Sequence, residues 1–140
     1  MLARILGPKT DVVYTLVRIV AGLMFGFHGL QKIFGLWSDF QPPFGSQLWV
    51  GGVIELVTGA AIALGAFTTW AAFLASGEMA VAYVQFHWKL ALGANFFPGV
   101  NKGELALLYA VLFLFIACRG AGPWSLDRLL AGLTRRSKSA

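Results

Sequence analysis

The chain has 140 residues, 58% of them hydrophobic and only 12% charged. Soluble domains carry about a quarter of their residues as charges, so a water-covered globular surface is excluded and an integral membrane protein is expected. The formal net charge of +5 does not point to nucleic acid, because the cations flank apolar segments, where orientation and anionic lipid account for them.

In chain order, a short basic leader (residues 1–11) with Pro8 precedes a first span over 12–34, VVYTLVRIVAGLMFGFHGLQKIF. That run is too long for a signal peptide and no small-residue cleavage site follows it, so it reads as retained. Asp39, Pro42, Pro43 and Gly45 punctuate the connection to a second span over 48–67, in which Glu55 is the single charge. Thr68 and Thr69 predict a tight turn, which makes the second and third spans antiparallel neighbours. The third span, 70–88, carries Glu78, Tyr83 and His87. Asn101 followed by Glu104 fits a capping box opening a fourth span over 102–119. A short interfacial helix is expected over 124–131, and the basic tail 134–140 is expected to be disordered. Cys118, the single cysteine, excludes an intramolecular disulfide and a paired redox motif, and reads as a small buried residue.

The predicted fold is therefore all-α, an integral membrane four-helix bundle forming one domain over residues 1–140. With both termini cytoplasmic, Arg4, Lys9, Arg119, Arg128, Arg135, Arg136 and Lys138 lie inside, against Lys32, Lys89 and Lys102 outside. Trp37, Trp49 and Trp88 then fall at the outer rim, and Tyr14, Trp70 and Trp124 at the inner one.

Ionisable groups inside spans are costly and mark functional sites or helix-locking networks. At about 1.5 Å per residue, His28 lies roughly 9 Å below its span's outer end, Glu55 about 10 Å and Glu78 about 13–15 Å. Three ionisable groups on three helices thus share the outer half of the membrane. His28, Gln31 and Lys32 recur at helical spacing, and Gly22, Gly26 and Gly29 permit close helix contact. The candidate polar pocket comprises His28, Gln31, Lys32, Glu55, Glu78, Tyr83 and His87. Such a set can relay protons or bind a polar head group, but equally well it can be a buried network that fixes helix pairing. Lys32 is near enough to the rim to snorkel, and His87 and Trp88 also fit interfacial anchors. Arg18 sits deeper, as a helix lock or a counter-ion reaching Glu55 or Glu78, while Glu104 has capping available to it. Two histidines with no cysteine cluster identify no metal site.

RIVAGLMFGFHGLQKIFG, VGGVIELVTGAAIALGAFT, NKGELALLYA and GPWSLDRLL, in that order, make the chain similar to the DoxX family. The resemblance carries Arg18, His28, Gly29, Gln31 and Lys32 onto the first-span pattern of the family. It carries Glu55 onto its second-span acid, Glu104 onto the acid opening the last span, and Ser125 with Asp127 onto its exit motif. It implies a four-helix protein of the bacterial inner membrane, in a family labelled as oxidoreductases and associated with quinone-linked sulfur oxidation. The lead expectation is an accessory subunit of a quinone-linked oxidoreductase system, with membrane quinone as ligand and a redox or membrane-complex protein as partner. Whether the chain is itself catalytic is left open, since it contains no complete redox centre. Membrane lipid and a second copy of the chain are further expected contacts. A membrane scaffold or assembly factor, and a small transporter or export helper, are the rival readings.

Overall fold

The computed structural model describes residues 1–137 and is helical, with no strand among them. A short helix α1 (Leu2–Leu6) passes through a 3-10 turn containing Pro8 into α2 (Thr10–Phe34). Then come α3 (Gln47–Leu64), α4 (Thr68–Ala82), a π-helical extension of α4 (Tyr83–Trp88), the one-turn α5 (Pro98–Asn101), α6 (Glu104–Arg119) and α7 (Leu126–Ser137). Two stretches, Leu2–Phe34 and Gln47–Leu64, are long and apolar enough to cross a membrane. Glycine closes both: Gly35 (φ 65°) ends α2 and Gly65 (φ 70°) ends α3, each in the left-handed conformation that costs glycine least.

Helix α2 packs on α3, α3 on α4, and α4 on α6. The first contact is the closest, because glycines let the backbones meet. A Cβ built on Gly59 would lie 2.4 Å from the Gly26 nitrogen, and one on Gly29 2.4 Å from the Leu56 nitrogen. The α4–α6 contact also has small residues: Ala72 and Ala75 of α4 and Ala106 and Ala110 of α6 are buried, and the Ser76 hydroxyl donates to the Ala110 carbonyl at 2.7 Å. Between α2 and α6 the filling is aromatic. Phe25 stands 4.7 Å from Phe113 and 5.5 Å from Tyr109, centroid to centroid, and these rings hold the two helices apart. Outward faces are apolar: Leu16, Leu23, Val57, Phe73, Leu108 and Val111 are exposed, the arrangement expected of a surface facing hydrocarbon.

Several local expectations are corrected. The turn between α3 and α4 is Gly65–Phe67, and Thr68 already begins the helix. The reason is a distant cap: the Asp127 carboxylate accepts from the Phe67 N–H (2.7 Å), the Thr68 N–H (3.0 Å) and the Thr68 hydroxyl (3.0 Å). No capping box forms at α6. Asn101 belongs to α5, Gly103 precedes α6, and the Asn101 side chain instead accepts from the Gly103 N–H at 2.8 Å. Glu104 is exposed in the first turn of α6, where the helix dipole favours an acid. Cys118 is exposed, not buried, because it falls on the outward face of α6. Tyr14 is buried rather than interfacial, its hydroxyl donating to the Gly120 carbonyl. Helix α7 continues to Ser137, beyond the expected end at 131, so residues 134–137 of the expected disordered tail are helical. The remainder of that tail, 138–140, lies outside the described residues.

Two expectations follow. Gly59→Val forces a side chain into the α2 backbone and should destabilise the protein by about 1–3 kcal/mol, read as a lowered Tm in detergent. Gly77→Ala, whose Cβ meets nothing within 4 Å, should leave Tm unchanged or slightly raised.

A further expectation concerns the Asp127 cap. Burial pushes its carboxyl up, but hydrogen bonds from Thr68 and Phe67 and the Arg18 charge outweigh burial and hold it below its ordinary value. A depressed folded-state value means the stabilisation is fully present above the unfolded carboxyl range and is lost as pH falls through the folded value. Asp127→Asn should therefore flatten the acid side of the Tm–pH profile, and Asp127→Ala should cost about 1 kcal/mol at neutral pH. An acid limb identical to that of the wild type would exclude the cap.

Candidate functional site

Two polar constructions sit at opposite ends of the helices. Arg18 lies at the end formed by the C-termini of α3 and α6. It is fully buried, and its guanidinium donates to the carbonyls of Ile62, Ala63 (2.9 Å) and Trp124 (2.9 Å). The orphan carbonyls closing α3 carry partial negative charge, so they suit a cation without any carboxylate. Arg18 is therefore not the counter-ion of Glu55 or Glu78. It ties α2 to the end of α3 and to the segment that leads into α7. Thr15 donates to the Pro123 carbonyl at 3.2 Å, and Arg119 pairs with Asp11 while lying 4.5 Å above the Tyr14 ring. Arg18, Thr15 and Asp127 together hold the 120–127 segment under the helices.

Toward the other end lies a cavity of about 610 Å³, walled by α2, α3, α4 with its π-helical extension, and α6. Phe25, His28 and Lys32 enter from one face of α2, Gly51, Ile54 and Glu55 from α3, and Leu74, Glu78 and Val81 from α4. The π-helical turn supplies Phe86 and His87, and Lys102, Leu105 and Tyr109 complete the wall on the α6 side. The lining is mostly apolar, with its polar groups convergent, as ligand sites usually are.

Lys32 Nζ lies 2.6 Å from Glu55 Oε1, and the Glu55 side chain is 4% exposed. Lys32 does not snorkel to the rim; the buried carboxylate holds it inward. The second Glu55 oxygen, Oε2 of Glu78 and the Tyr109 hydroxyl are all buried without a hydrogen-bond partner. Glu78 packs against Gly51, where an added Cβ would come within 2.9 Å of its Oε1. Around this acid, a side chain at 51 would close the space. His87 Nδ1 stands 3.3 Å from the Asn101 carbonyl, which directs the ring at the cavity rim.

The structure thus brings together His28, Lys32, Glu55, Glu78 and His87 from the predicted set. Gln31 is not on the wall: it points toward the Trp37 carbonyl, 3.4 Å away. Tyr83 is not there either. Its hydroxyl accepts from the Asn101 side chain at 3.4 Å, and its ring packs on Gly103, so it supports the entry to α6. Glu104 lies outside the cavity as well. Among the described residues no group of three His, Cys, Asp or Glu side chains could hold a metal ion. Gln47, Lys102 and Tyr109 are polar wall residues absent from the predicted pocket, and of these Tyr109 is the buried one. It lies five residues into α6, about 7.5 Å along the helix, which matches the depth of His28 and Glu55.

The DoxX family model matches residues 13–88, more than half the chain. The chain belongs to the DoxX family. It is a DoxX-family membrane protein, and the matched region runs from α2 to the π-helical turn, including Arg18, His28, Lys32, Glu55 and Glu78. A relative described as an uncharacterized protein of Haemophilus influenzae is 44% identical over 115 residues, covering 79% of this chain and 85% of the relative. No solved structure matches the chain. The DoxX match ends before α6, so Tyr109 and Asp127 lie beyond it.

The ion pair sets an expectation for stability. Removing one partner of a buried pair strands the other, so Lys32→Met alone should cost about 3–5 kcal/mol. Pairing it with Glu55→Gln should recover most of that loss, and a double-mutant cycle on unfolding in detergent measures the coupling. Additive single effects would show that the two side chains are independent.

Proposed function

We propose that this DoxX-family protein is a four-helix bundle crossing the bacterial inner membrane four times with both termini cytoplasmic. We further propose that its cavity receives the head group of a membrane quinone, as the accessory subunit of a quinone-linked oxidoreductase. The topology is supported by the lysine and arginine bias, by the apolar outward faces, and by α4 with its extension reaching 21 residues from Thr68 to Trp88.

One observation carries the ligand reading. Three buried polar atoms, Tyr109 OH, Glu55 Oε2 and Glu78 Oε2, have no partner and belong to residues that line a mostly apolar cavity. Buried polar groups are ordinarily satisfied, so a ligand with polar atoms at one end fits this set. The set contains a hydroxyl donor and two carboxylate acceptors. A quinone head offers carbonyl acceptors when oxidised and hydroxyl donors when reduced, and its reduction takes two electrons and two protons. Tyr109 and His28 would donate to a carbonyl oxygen. Glu55 and Glu78 would hand on protons, Lys32 would fix Glu55, and the electrons would come from the partner protein.

Gentle purification from native membrane, with copurifying quinones and proteins identified, is expected to recover both. Tyr109→Phe should weaken quinone binding by a factor on the order of ten. Folded protein that retains none of the native quinones would overturn the quinone reading. A partner whose activity survives His28→Ala with Glu55→Gln would instead favour a scaffold.

A further inference from the structure

The helix spacing leaves a second opening. Because Phe25, Tyr109 and Phe113 hold α2 away from α6, a crevice of about 370 Å³ runs between these helices on the outward face. Leu16, Val17, Val20 and Met24 form one side, and Leu108 and Leu112 belong to the other. Tyr109 is the single polar side chain in its walls. Leu105 and Tyr109 belong to the walls of both the crevice and the polar cavity.

We propose that the α2–α6 crevice is the seat of the isoprenoid tail of the quinone whose head occupies the polar cavity. The proposal rests on the quinone reading above. Continuity carries it: an amphiphile with its head beside Tyr109 meets, across that same side chain and Leu105, a groove lined by aliphatic groups. Both openings have Tyr109 and Leu105 in common, so the head and tail sites adjoin across these two side chains. Charge selects the occupant. Glu78 makes no ion pair among the described residues; of the two lysines on the cavity wall, Lys32 is paired with Glu55, and Lys102 is exposed and makes no salt bridge to Glu78. A phosphate head would therefore meet an uncompensated carboxylate, whereas a neutral quinone head meets no such repulsion. An acyl chain suits the crevice as well as an isoprenoid chain does, but its phosphate suits the cavity poorly.

The test uses the full-length protein in nanodiscs and a benzoquinone series with no tail, a short tail and a long isoprenoid tail. Val20 and Leu108 are exposed on the crevice walls, so Val20→Trp and Leu108→Trp narrow it without disturbing the core. Affinity should rise with tail length in the wild type. Excluding even two methylene equivalents should cost the long-tailed quinone on the order of tenfold in each variant, with tail-less binding unchanged. A long-tailed quinone carrying a diazirine at the tail should crosslink to Met24, Leu108 or Leu112. If no quinone binds the wild type, the head-group reading fails and the tail site falls with it. If quinones bind but tail length and both variants make no difference, the crevice proposal alone is overturned. It is also overturned if a diazirine phospholipid labels the crevice and the quinone tail does not. Leu23→Trp, on the outward face of α2 away from the crevice, should change neither affinity.

Discussion

The unequal spacing of the helices is the constraint on which the rest depends. Glycines at 22, 29 and 59 bring α2 and α3 into backbone contact, whereas Phe25, Tyr109 and Phe113 keep α6 at the distance of stacked rings. Small residues are what close helix approach requires in an apolar solvent, where burial alone gives no drive to associate. The tight contact fixes the register of α2 against α3, and this register is what sets Lys32 beside Glu55. The loose contact leaves volume beside that pair. One asymmetry therefore makes both the ion pair and the space it faces.

The opposite end has a different logic. Arg18 and Asp127 are held mainly by backbone groups: the guanidinium by carbonyls of α3 and of the 124 position, the carboxylate by N–H groups and a hydroxyl opening α4. Each charge meets the helix terminus whose dipole it complements. The carbonyls that take both terminal nitrogens of Arg18 explain why it does not draw on the acids of the cavity, and why the two ionic constructions remain separate. The clamp holds the segment before α7 against the ends of α3 and α4; one atom there, Arg18 Nε, is buried without a partner, against three at the far end, Glu55 Oε2, Glu78 Oε2 and Tyr109 OH.

Much of this was legible in the sequence, and the failures have identifiable causes. Depth was readable: counting residues from span ends placed His28, Glu55 and Glu78 at one level, and these three line one cavity. Rotation about the helix axis was not. At about 100° per residue Lys32 lies 40° from His28, while Gln31 lies 60° away on the other flank, so one faces the cavity and the other the loop at Trp37. Adjacent positions in a polar cluster need not share a wall. Tyr109 was hidden because a tyrosine in an apolar span reads as filling or belt; its hydroxyl matters only once α2 and α4 are placed around it. The Asp127 cap was hidden because it joins residues sixty positions apart, and a capping search along the chain sees only neighbours.

The cavity's own charge count is the remaining argument. A structural role for buried acids is most economically met when every acid has a cation, and an apolar replacement is often as stable as a satisfied pair. Glu55 satisfies that condition through Lys32, but its second oxygen does not, and neither does Oε2 of Glu78. Packing alone would favour leucine or methionine at position 78. What packing does not explain is the coincidence of two unfinished carboxylates, an unfinished hydroxyl and a glycine at 51 that keeps space open around one of the acids. We read these unsatisfied groups, on three different helices and facing one volume, as complementary to something that enters it. Under the proposed reading, that complementarity favours ligand binding over helix locking and gives Glu78 and Tyr109 as large a part as the polar cluster of α2.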